Sequence, residues 1–268
     1  MNDKTEQIKK RYLIIQADDF GMTRGINRGV IDAFQAGAIT NTSLLITMPY
    51  IDDAVILAKK NPQLPIGLYL SLTHGHPVLP ATEVPTLVDQ NGKFVRNHEK
   101  VLPSAKPDEI VRELSAQLDK FLRLGIGLSH IETHHGINNY PIVRETVLKI
   151  AQEHSVPFRF LTSLDVKEEA TRMGIPVSDW FNSLYPVNKI PVTTNIIVNI
   201  IKSLKPGITE LGCQVGYVDE DLASMTSYVE GRRMELDSLQ DKSIKDVLFS
   251  ENVILMSFYD LKRMRVGK

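Results

Sequence analysis

The sequence predicts an α/β fold with a parallel sheet. Short β-like apolar runs alternate with longer helical patterns along most of the 268 residues, and a crossover between parallel strands needs about the length of a helix. About seven predicted strands in one unbroken series favour a barrel over an open sheet. In either arrangement, the functional site is expected beyond the carboxyl ends of the strands.

The predicted strands are runs rich in aliphatic residues that stop at polar residues or Gly. They cover residues 12–17 (YLIIQA), 42–47 (TSLLIT), 67–73 (GLYLSLT), 128–133 (LSHIET), 158–161, 208–214 and 253–258. The predicted helices have apolar residues at helical spacing. The first carries Ile26, Val30 and Phe34 and ends at Gly37, a plausible C-terminal stop. The others cover residues 51–60, 107–124, 142–154, 193–204 and 231–239.

Two segments lack this regularity. Residues 74–103 are rich in Pro and polar residues and contain Asn91-Gly92, a tight-turn signal that predicts a small hairpin. A structureless stretch of roughly 30 residues is more often functional than idle in a compact domain. Residues 163–189, which include Trp180, are predicted to be irregular. We expect residues 1–268 to form a single domain with residues 74–103 as an excursion from its core.

Composition and charge indicate which classes of partner and which cellular environment to expect. Lys plus Arg number 31 against 32 Asp plus Glu, a formal net charge of −1, which gives no electrostatic footprint for nucleic acid or an anionic membrane. The apolar stretch 195–201 (NIIVNII) is far shorter than the ~20 residues of a membrane span. Cys213 is the single cysteine, so no intrachain disulfide forms. We expect a cytoplasmic protein, and a homodimer by base rate.

Two adjacent carboxylates, Asp18 and Asp19, follow the first predicted strand. Adjacent carboxylates repel each other, so one is usually held by a cation or has a raised pKa. The functional interpretation is one metal ligand and one general base. The alternative is a solvated turn with a helix N-cap, for which Asp is well suited. The position against a buried strand favours function.

The densest polar cluster follows the strand 128–133. It holds His130, Glu132, His134 and His135, so three of the seven histidines lie within six residues. Neutral imidazoles near a carboxylate suit a metal site. The alternative is a pair of surface histidines with a third packed in the core. The clustering favours a functional site.

Further candidates lie at other strand ends. Thr73 and His74 follow the third strand, Arg159 lies in the fifth, and Gln214 ends the sixth. An arginine orients a carboxylate through paired hydrogen bonds, whereas His74 is at least as compatible with an exposed loop position. The sequence has no GxxxxGK phosphate loop and no GxSxG elbow. Asp and His at strand ends without a nucleophile suggest water activated by a metal.

Several motifs resemble the YdjC-like carbohydrate deacetylase family, which includes chitooligosaccharide deacetylases. They occur in the family's order as ADDFG (17–21), GLYLSLT (67–73), HIETHH (130–135) and GYVDE (216–220). The resemblance implies a distorted, TIM-like (β/α) barrel with parallel strands, as in polysaccharide deacetylases, and removal of an N-acetyl group from an amino-sugar oligosaccharide. It also implies a divalent metal, Mg²⁺ or Zn²⁺. The partner expected from it is a small carbohydrate substrate.

The resemblance also assigns roles to individual residues. It implies that Asp19 and His134 are metal ligands, that Asp18 is the general base, and that Arg159 orients this base. The chain departs from the family's pattern in three places. Tyr69 stands where the family has a metal-binding histidine, and Gln214 stands where it has the histidine of HPGY. The family's histidine-rich continuation after HxDSH is thinned to His135, Gly136 and Asn138. Together with Thr73 and His74, Tyr69 and Gln214 become candidates for substrate binding.

Two hypotheses from different classes follow. The first is a metal-dependent hydrolase that removes acetyl groups from amino sugars. The second is a catalytically impaired family member that binds a sugar or metabolite, because Tyr69 and Gln214 suit recognition of a sugar. A hydrolase with an altered substrate, with residues 74–103 reshaping the mouth of the site, is a third alternative.

Overall fold

Seven parallel strands form the centre of the molecule. The computed structural model describes residues 10–161, 163–185 and 192–266. Within these residues the strands are β1 (Arg11–Phe20), β2 (Asn41–Leu45), β3 (Ile66–Leu70), β4 (Leu128–Thr133), β5 (Trp180–Ser183), β6 (Gly207–Cys213) and β7 (Val253–Leu255). Every strand pair is parallel, which confirms the predicted α/β class.

The strand order is β4-β3-β2-β1-β6-β5, with β7 also on β1. β1 pairs with β6 along one edge, and its other edge pairs first with β7 and then with β2. The two ends of this series are joined through a short segment, because Arg159 N donates to Ile131 O (3.0 Å) and Phe158 N to Pro176 O (3.0 Å). These hydrogen bonds connect β4 to the chain that enters β5, as a distorted barrel requires.

Helices cross between the strands. Those with eight or more residues are α1 (Arg24–Gln35), α2 (Ile51–Lys60), α4 (Pro107–Arg123), α5 (Pro141–Glu153), α6 (Leu164–Arg172), α7 (Thr194–Lys202), α9 (Glu230–Gln240), α10 (Lys242–Ser250) and α11 (Phe258–Val266). Two short helices are α3 (His98–Val101) and α8 (Leu222–Met225). No helix of the described residues is long and apolar enough to cross a membrane.

Local sequence explains how the main elements begin and pack. The apolar run of β1 is buried from Leu13 onward, as expected for a strand inside a parallel sheet. Thr23 caps α1 by accepting a hydrogen bond from Ile26 N. α4 buries an apolar stripe at helical spacing that includes Ile110, Leu114 and Phe121, and burying each such side chain contributes about 1.5–3 kcal/mol.

The excursion 74–103 is held against α4 by buried carboxylates. Its regular pieces are a 3₁₀ turn at Ala81–Glu83, α3, and one antiparallel bridge between Val88 and Phe94 around the predicted turn. Glu113 of α4 accepts hydrogen bonds from the backbone N–H groups of Val78 (2.9 Å) and Leu79 (3.0 Å). These bonds fix the start of the excursion, which lies directly after β3.

Three predictions about elements are wrong. Residues 158–161 are not a strand, because only Phe158 forms a bridge and Leu161 has a left-handed φ of 55°. Residues 163–189 are not irregular throughout, since they contain α6 and β5, while 186–189 lie outside the described residues. The last strand ends at Leu255, and Phe258 begins α11 instead of closing the strand.

Candidate active site

The carboxyl end of β1 carries the two adjacent carboxylates. Asp19 has a left-handed φ of 67°, and the pairing of β1 with β2 shifts register between Ala17 and Phe20. A non-glycine residue in this region costs roughly 1–3 kcal/mol and is held there by its surroundings. At this irregular backbone the two adjacent side chains have different partners: Asp18 contacts Arg159, and Asp19 contacts Arg232.

Arg159 is a buried cation surrounded by three carboxylates. Its Nη1 donates to Asp18 Oδ1 at 2.7 Å and also to Glu132, while its Nε donates to Glu210. Glu132 and Glu210 are fully buried, and Arg159 is 2% exposed. One guanidinium cannot balance three ionised carboxylates in a buried site, so this cluster holds at least one proton.

The same burial raises the carboxyl pKa values in the cluster. Burial raises the pKa of Asp18 to about 6, against the opposing effect of the Arg159 charge. It raises the pKa of Glu210 to about 7 and that of Glu132 well above its ordinary value. The hydrogen bond from Arg159 fixes the orientation of Asp18, and the hydrogen bonds from Arg159 to Glu132 and Glu210 fix its guanidinium.

Arg232 of α9 binds the second aspartate. Its Nη2 donates to Asp19 Oδ2 at 2.7 Å, and both side chains are buried. Its Nε donates to the backbone carbonyl of Tyr228 (3.0 Å), which fixes the guanidinium from the other side. A buried ion pair of this kind orients the carboxylate and leaves Asp19 Oδ1 for another partner.

His134 lies directly after β4 and is packed among other rings. Thr73 Oγ1 lies 2.7 Å from its Nδ1, and the ring contacts those of Tyr69, His74 and His135. Burial lowers the pKa of His134 well below its usual value and lowers that of His74 to about 4. Both imidazoles are therefore neutral near pH 7. When Nδ1 of His134 donates to Thr73, its Nε2 carries a free lone pair.

One cavity of about 370 Å³ joins most of the predicted site residues. Its lining includes Asp18, Asp19, His74, His134, Arg159 and Gln214. The other two predicted residues lie behind His134: Tyr69 and Thr73 are buried and contact its ring or its Nδ1. Thr73 also lines a neighbouring cavity of about 490 Å³. The structure thus brings six of the eight predicted residues to one surface.

Sequence reasoning missed several residues of this site. Arg232 lies on a helix 213 positions from its partner Asp19, and no local pattern distinguished it from a surface arginine. The sequence places Glu132 in the polar cluster at the end of β4, but it does not predict that Glu132 and Glu210 converge on Arg159. Their signal was a charged residue inside an otherwise buried strand, a position that normally requires a partner. Arg96 and Tyr185 also line the cavity.

The donor atoms available in the site limit how it could hold a metal ion. Among the described residues, no group of three or more His, Cys, Asp or Glu side chains is arranged to hold an ion, whereas a catalytic zinc usually has three protein ligands. Asp19 Oδ1 and His134 Nε2 are the two donors left by the contacts with Arg232 and Thr73. These two donors alone do not complete the coordination of a divalent ion, so water molecules would have to supply the remaining ligands.

Comparisons with known proteins agree with this fold. The model of the YdjC-like protein family matches residues 12–249. A carbohydrate deacetylase of Brevibacillus brevis is 33% identical over 250 residues, 93% of this chain and 99% of the relative. A second, from Thermoanaerobacter pseudethanolicus, is 32% identical over 252 residues, 94% and 100% of the two chains. The crystal structure of a putative cellobiose-phosphate cleavage protein of Enterococcus faecalis matches with a TM-score of 0.85 and 26% identity, covering 94% of this chain and 99% of that one.

Proposed function

The chain belongs to the YdjC-like protein family, and we propose that it is a hydrolase that removes the acetyl group from an N-acetylated amino sugar. One observation carries the proposal: Asp18 is fixed by a buried arginine in the same cavity as Asp19 and His134. An oriented carboxylate beside a cation site is the arrangement that water activation requires. The relatives named carbohydrate deacetylases support a carbohydrate substrate.

Asp18 acts as the general base. Arg159 holds its Oδ1, so Oδ2 is the atom that takes a proton from the water attacking the acetyl carbon. The guanidinium favours the ionised form of Asp18, while burial opposes it. A carboxylate held in one rotamer approaches the water in one direction, which is what proximity and orientation contribute to the rate.

Asp19 and His134 would hold the divalent ion, with water completing its coordination. When bound, the ion supplies a positive charge that polarises the acetyl carbonyl and lowers the pKa of a coordinated water. Arg232 fixes Asp19 through Oδ2, and Thr73 fixes the ring of His134 through Nδ1. Both contacts orient the candidate ligands from behind, as partners of metal ligands usually do.

The leaving amine needs a proton, and Gln214 cannot deliver one because its amide donates hydrogen bonds without ionising. The neutral His74 likewise carries no excess proton near pH 7, because burial lowers its pKa to about 4. Asp18 itself is protonated after the first step. We assign it the second transfer, in which the proton taken up by its carboxyl passes to the amine nitrogen.

Acetate release tests this function. Purified protein with Mg²⁺ is incubated with N-acetylglucosamine oligomers, and acetate and free amine are measured together. Wild type is expected to release both in equal amounts, and Asp18→Asn is expected to lose at least ~100-fold in rate, the usual scale for a general base. Asp237→Asn, which alters an exposed ion pair with Arg233, serves as the control. Equal turnover by wild type and Asp18→Asn removes Asp18 from the mechanism.

The cation is tested separately by calorimetric titration with Mg²⁺ and Zn²⁺. We expect Mg²⁺ to bind once per chain and His134→Ala to weaken binding at least ~10-fold, because losing even a residue that only supports a metal ligand costs about 10–100-fold in affinity. Tight zinc binding that survives this variant would contradict the two-donor assignment.

A sugar-binding protein without catalysis is the second candidate. The observation that favours it is the pair of departures at Tyr69 and Gln214, because neither side chain replaces the chemistry of a histidine. Saturable binding of the same oligomers with no acetate from wild type, with or without metal, would select this alternative.

A further inference from the structure

The candidate cavity has one aromatic wall that the hydrolysis does not use. Phe181 and Tyr185 line it, and they come from β5 and from the residues directly after it. Phe181 packs beneath the guanidinium of Arg159, at 5.3 Å from its ring centroid. Tyr185 has no such partner in the catalytic cluster and is 45% exposed. The remaining lining is mostly polar, so the cavity is amphipathic.

Tyr185 is held in place by a second tyrosine. The rings of Tyr185 and Tyr228 pack edge to face, with centroids 4.9 Å apart and an angle of 64° between their planes. Tyr228 is itself anchored, because its hydroxyl donates to Glu235 Oε1 at 2.6 Å. Glu235 is fully buried, so this hydrogen bond helps to satisfy a carboxyl group that burial otherwise disfavours.

The backbone also makes room for this arrangement. A Cβ atom at position 231 would lie 2.2 Å from the ring of Tyr228, so only glycine allows the ring to lie against the start of α9. On the other side, Ser183 Oγ accepts a hydrogen bond from Tyr185 N at 3.1 Å. An exposed aromatic side chain supported from two elements is a preorganised surface, unlike a mobile side chain at a loop tip.

We propose that Tyr185 is the stacking platform for the pyranose ring of the substrate, and that Tyr228 is the positioning residue that holds it. The inference rests on the proposed function and specifies how its substrate is recognised. A pyranose ring with equatorial substituents presents axial C–H groups on its face and hydroxyl groups on its edge. The C–H face fits the apolar ring of Tyr185, and the polar edge and acetamido group fit the side of the cavity with Asp18, His134 and Gln214.

Ligand sites of this type combine aromatic contact area with a few polar groups that set orientation. Tyrosine is suited to the first task, because it provides a large, rigid surface at low cost in conformational entropy. In this arrangement the ring of Tyr185 sets the orientation in which the sugar binds, and Asp18 lies on the side of the acetyl group. Tyr185 is therefore a specificity-determining residue outside the catalytic cluster.

The test measures binding in a background that does not turn over. The β-1,4-linked dimer of N-acetylglucosamine is titrated calorimetrically into Asp18→Asn protein carrying a second substitution, with Mg²⁺ present. Tyr185→Ala is expected to raise Kd about tenfold, and Tyr185→Phe to stay within about twofold of its parent, because it keeps the ring. Tyr259→Ala, at a comparably exposed tyrosine (36%) in a different cavity, is the matched control and leaves Kd unchanged.

Two further readouts separate stacking from a loss of folding. Saturation-transfer NMR with irradiation of the aromatic protons is expected to mark the axial protons of one sugar ring, and Tyr185→Ala is expected to abolish this signal. Tyr228→Leu is expected to raise Kd several-fold, and Tyr228→Phe to raise it less, because it keeps the ring contact with Tyr185 and loses only the hydrogen bond to Glu235. Circular dichroism identifies variants that do not fold.

The outcomes distinguish this inference from the proposed function. If wild type releases acetate but Tyr185→Ala binds the dimer as tightly as its parent, the stacking role of Tyr185 is refuted and the proposed hydrolase activity is supported. If the dimer binds with the expected dependence on Tyr185 but wild type releases no acetate, the stacking role of Tyr185 is supported and the proposed hydrolase activity is refuted. If wild type neither binds the dimer nor releases acetate, both are overturned.

Discussion

Replacing Arg159 by methionine should destabilise the protein more than any surface substitution. The side chain is 2% exposed and contacts Asp18, Glu132 and Glu210, the last two fully buried. Removing one partner of a buried ion pair costs about 3–5 kcal/mol, because the remaining charge is left without compensation. The total stability of a domain is about 5–15 kcal/mol, so Arg159→Met should remove roughly a fifth or more of it.

Urea unfolding followed by circular dichroism measures this loss. Arg233→Met is the matched control, because Arg233 forms an ion pair with Asp237 across one helical turn and both side chains are at least half exposed. Such an exposed pair contributes less than about 1 kcal/mol. If Arg159→Met loses no more than Arg233→Met, the three carboxylates do not depend on the guanidinium and the description of the cluster is wrong.

The origin of the loss can be tested with a second substitution and with pH. Arg159→Met/Glu210→Met should be more stable than Arg159→Met alone, since it removes a buried carboxyl that has lost its cation. In Arg159→Met the pKa of Glu210 in the folded state lies above its unfolded value. Removing the guanidinium raises this pKa further above the value of about 7 that Glu210 has in the wild type. Above about pH 7 the contribution of the protonated carboxyl is already lost from the wild type but is still being lost from the variant, so the deficit should be larger at pH 9 than at pH 7.

Two further predictions concern stability and the excursion. His130 is fully buried against Phe258, and burial holds its pKa well below the ordinary value of 6.5; its neutral form therefore stabilises the fold above about pH 6.5, and this contribution is lost as pH falls. Between pH 5 and pH 7, the free energy of unfolding should therefore change with pH more steeply for wild type than for His130→Asn, by up to about 1.4 kcal/mol for each pH unit. Parallel curves for the two proteins would refute this. Glu113→Ala leaves Val78 N and Leu79 N without their acceptor, so it should cost about 1–3 kcal/mol and accelerate native-state proteolysis within residues 74–103. Asp108→Ala on an exposed part of the same helix should leave the cleavage rate unchanged.

The sequence predicted the sheet and one edge of the site for a physical reason. Parallel strands place their carboxyl ends together, so polar residues after separate apolar runs converge without further information. Asp18 and Asp19 of β1 and His134 after β4 were found in this way, and the structure places all three in one cavity. β4 itself has the predicted bounds, because its residues after Leu128 are all buried and its start and end are marked by glycine and histidines.

Features that depend on distant contacts were not predicted. β5 has only four residues, and none of them is buried, so it lacks the apolar pattern that identifies a strand. Residues 158–161 have that pattern but lack the hydrogen-bonding neighbours of a full ladder. The partners of Arg159 come from three separate strands, and their convergence depends on register, such as Ile14 opposite Glu210. Register of this kind is set by packing of the whole sheet rather than by any local motif.

The most direct test of the account is hydrolysis of N-acetylglucosamine oligomers in water enriched in ¹⁸O, with the released acetate analysed by mass spectrometry. Attack by a water molecule that Asp18 deprotonates should place one ¹⁸O atom in each acetate, at a rate at least ~100-fold higher for wild type than for Asp18→Asn. Wild-type protein with Mg²⁺ that releases no acetate, or releases acetate at the same rate after Asp18→Asn, would contradict the proposed function.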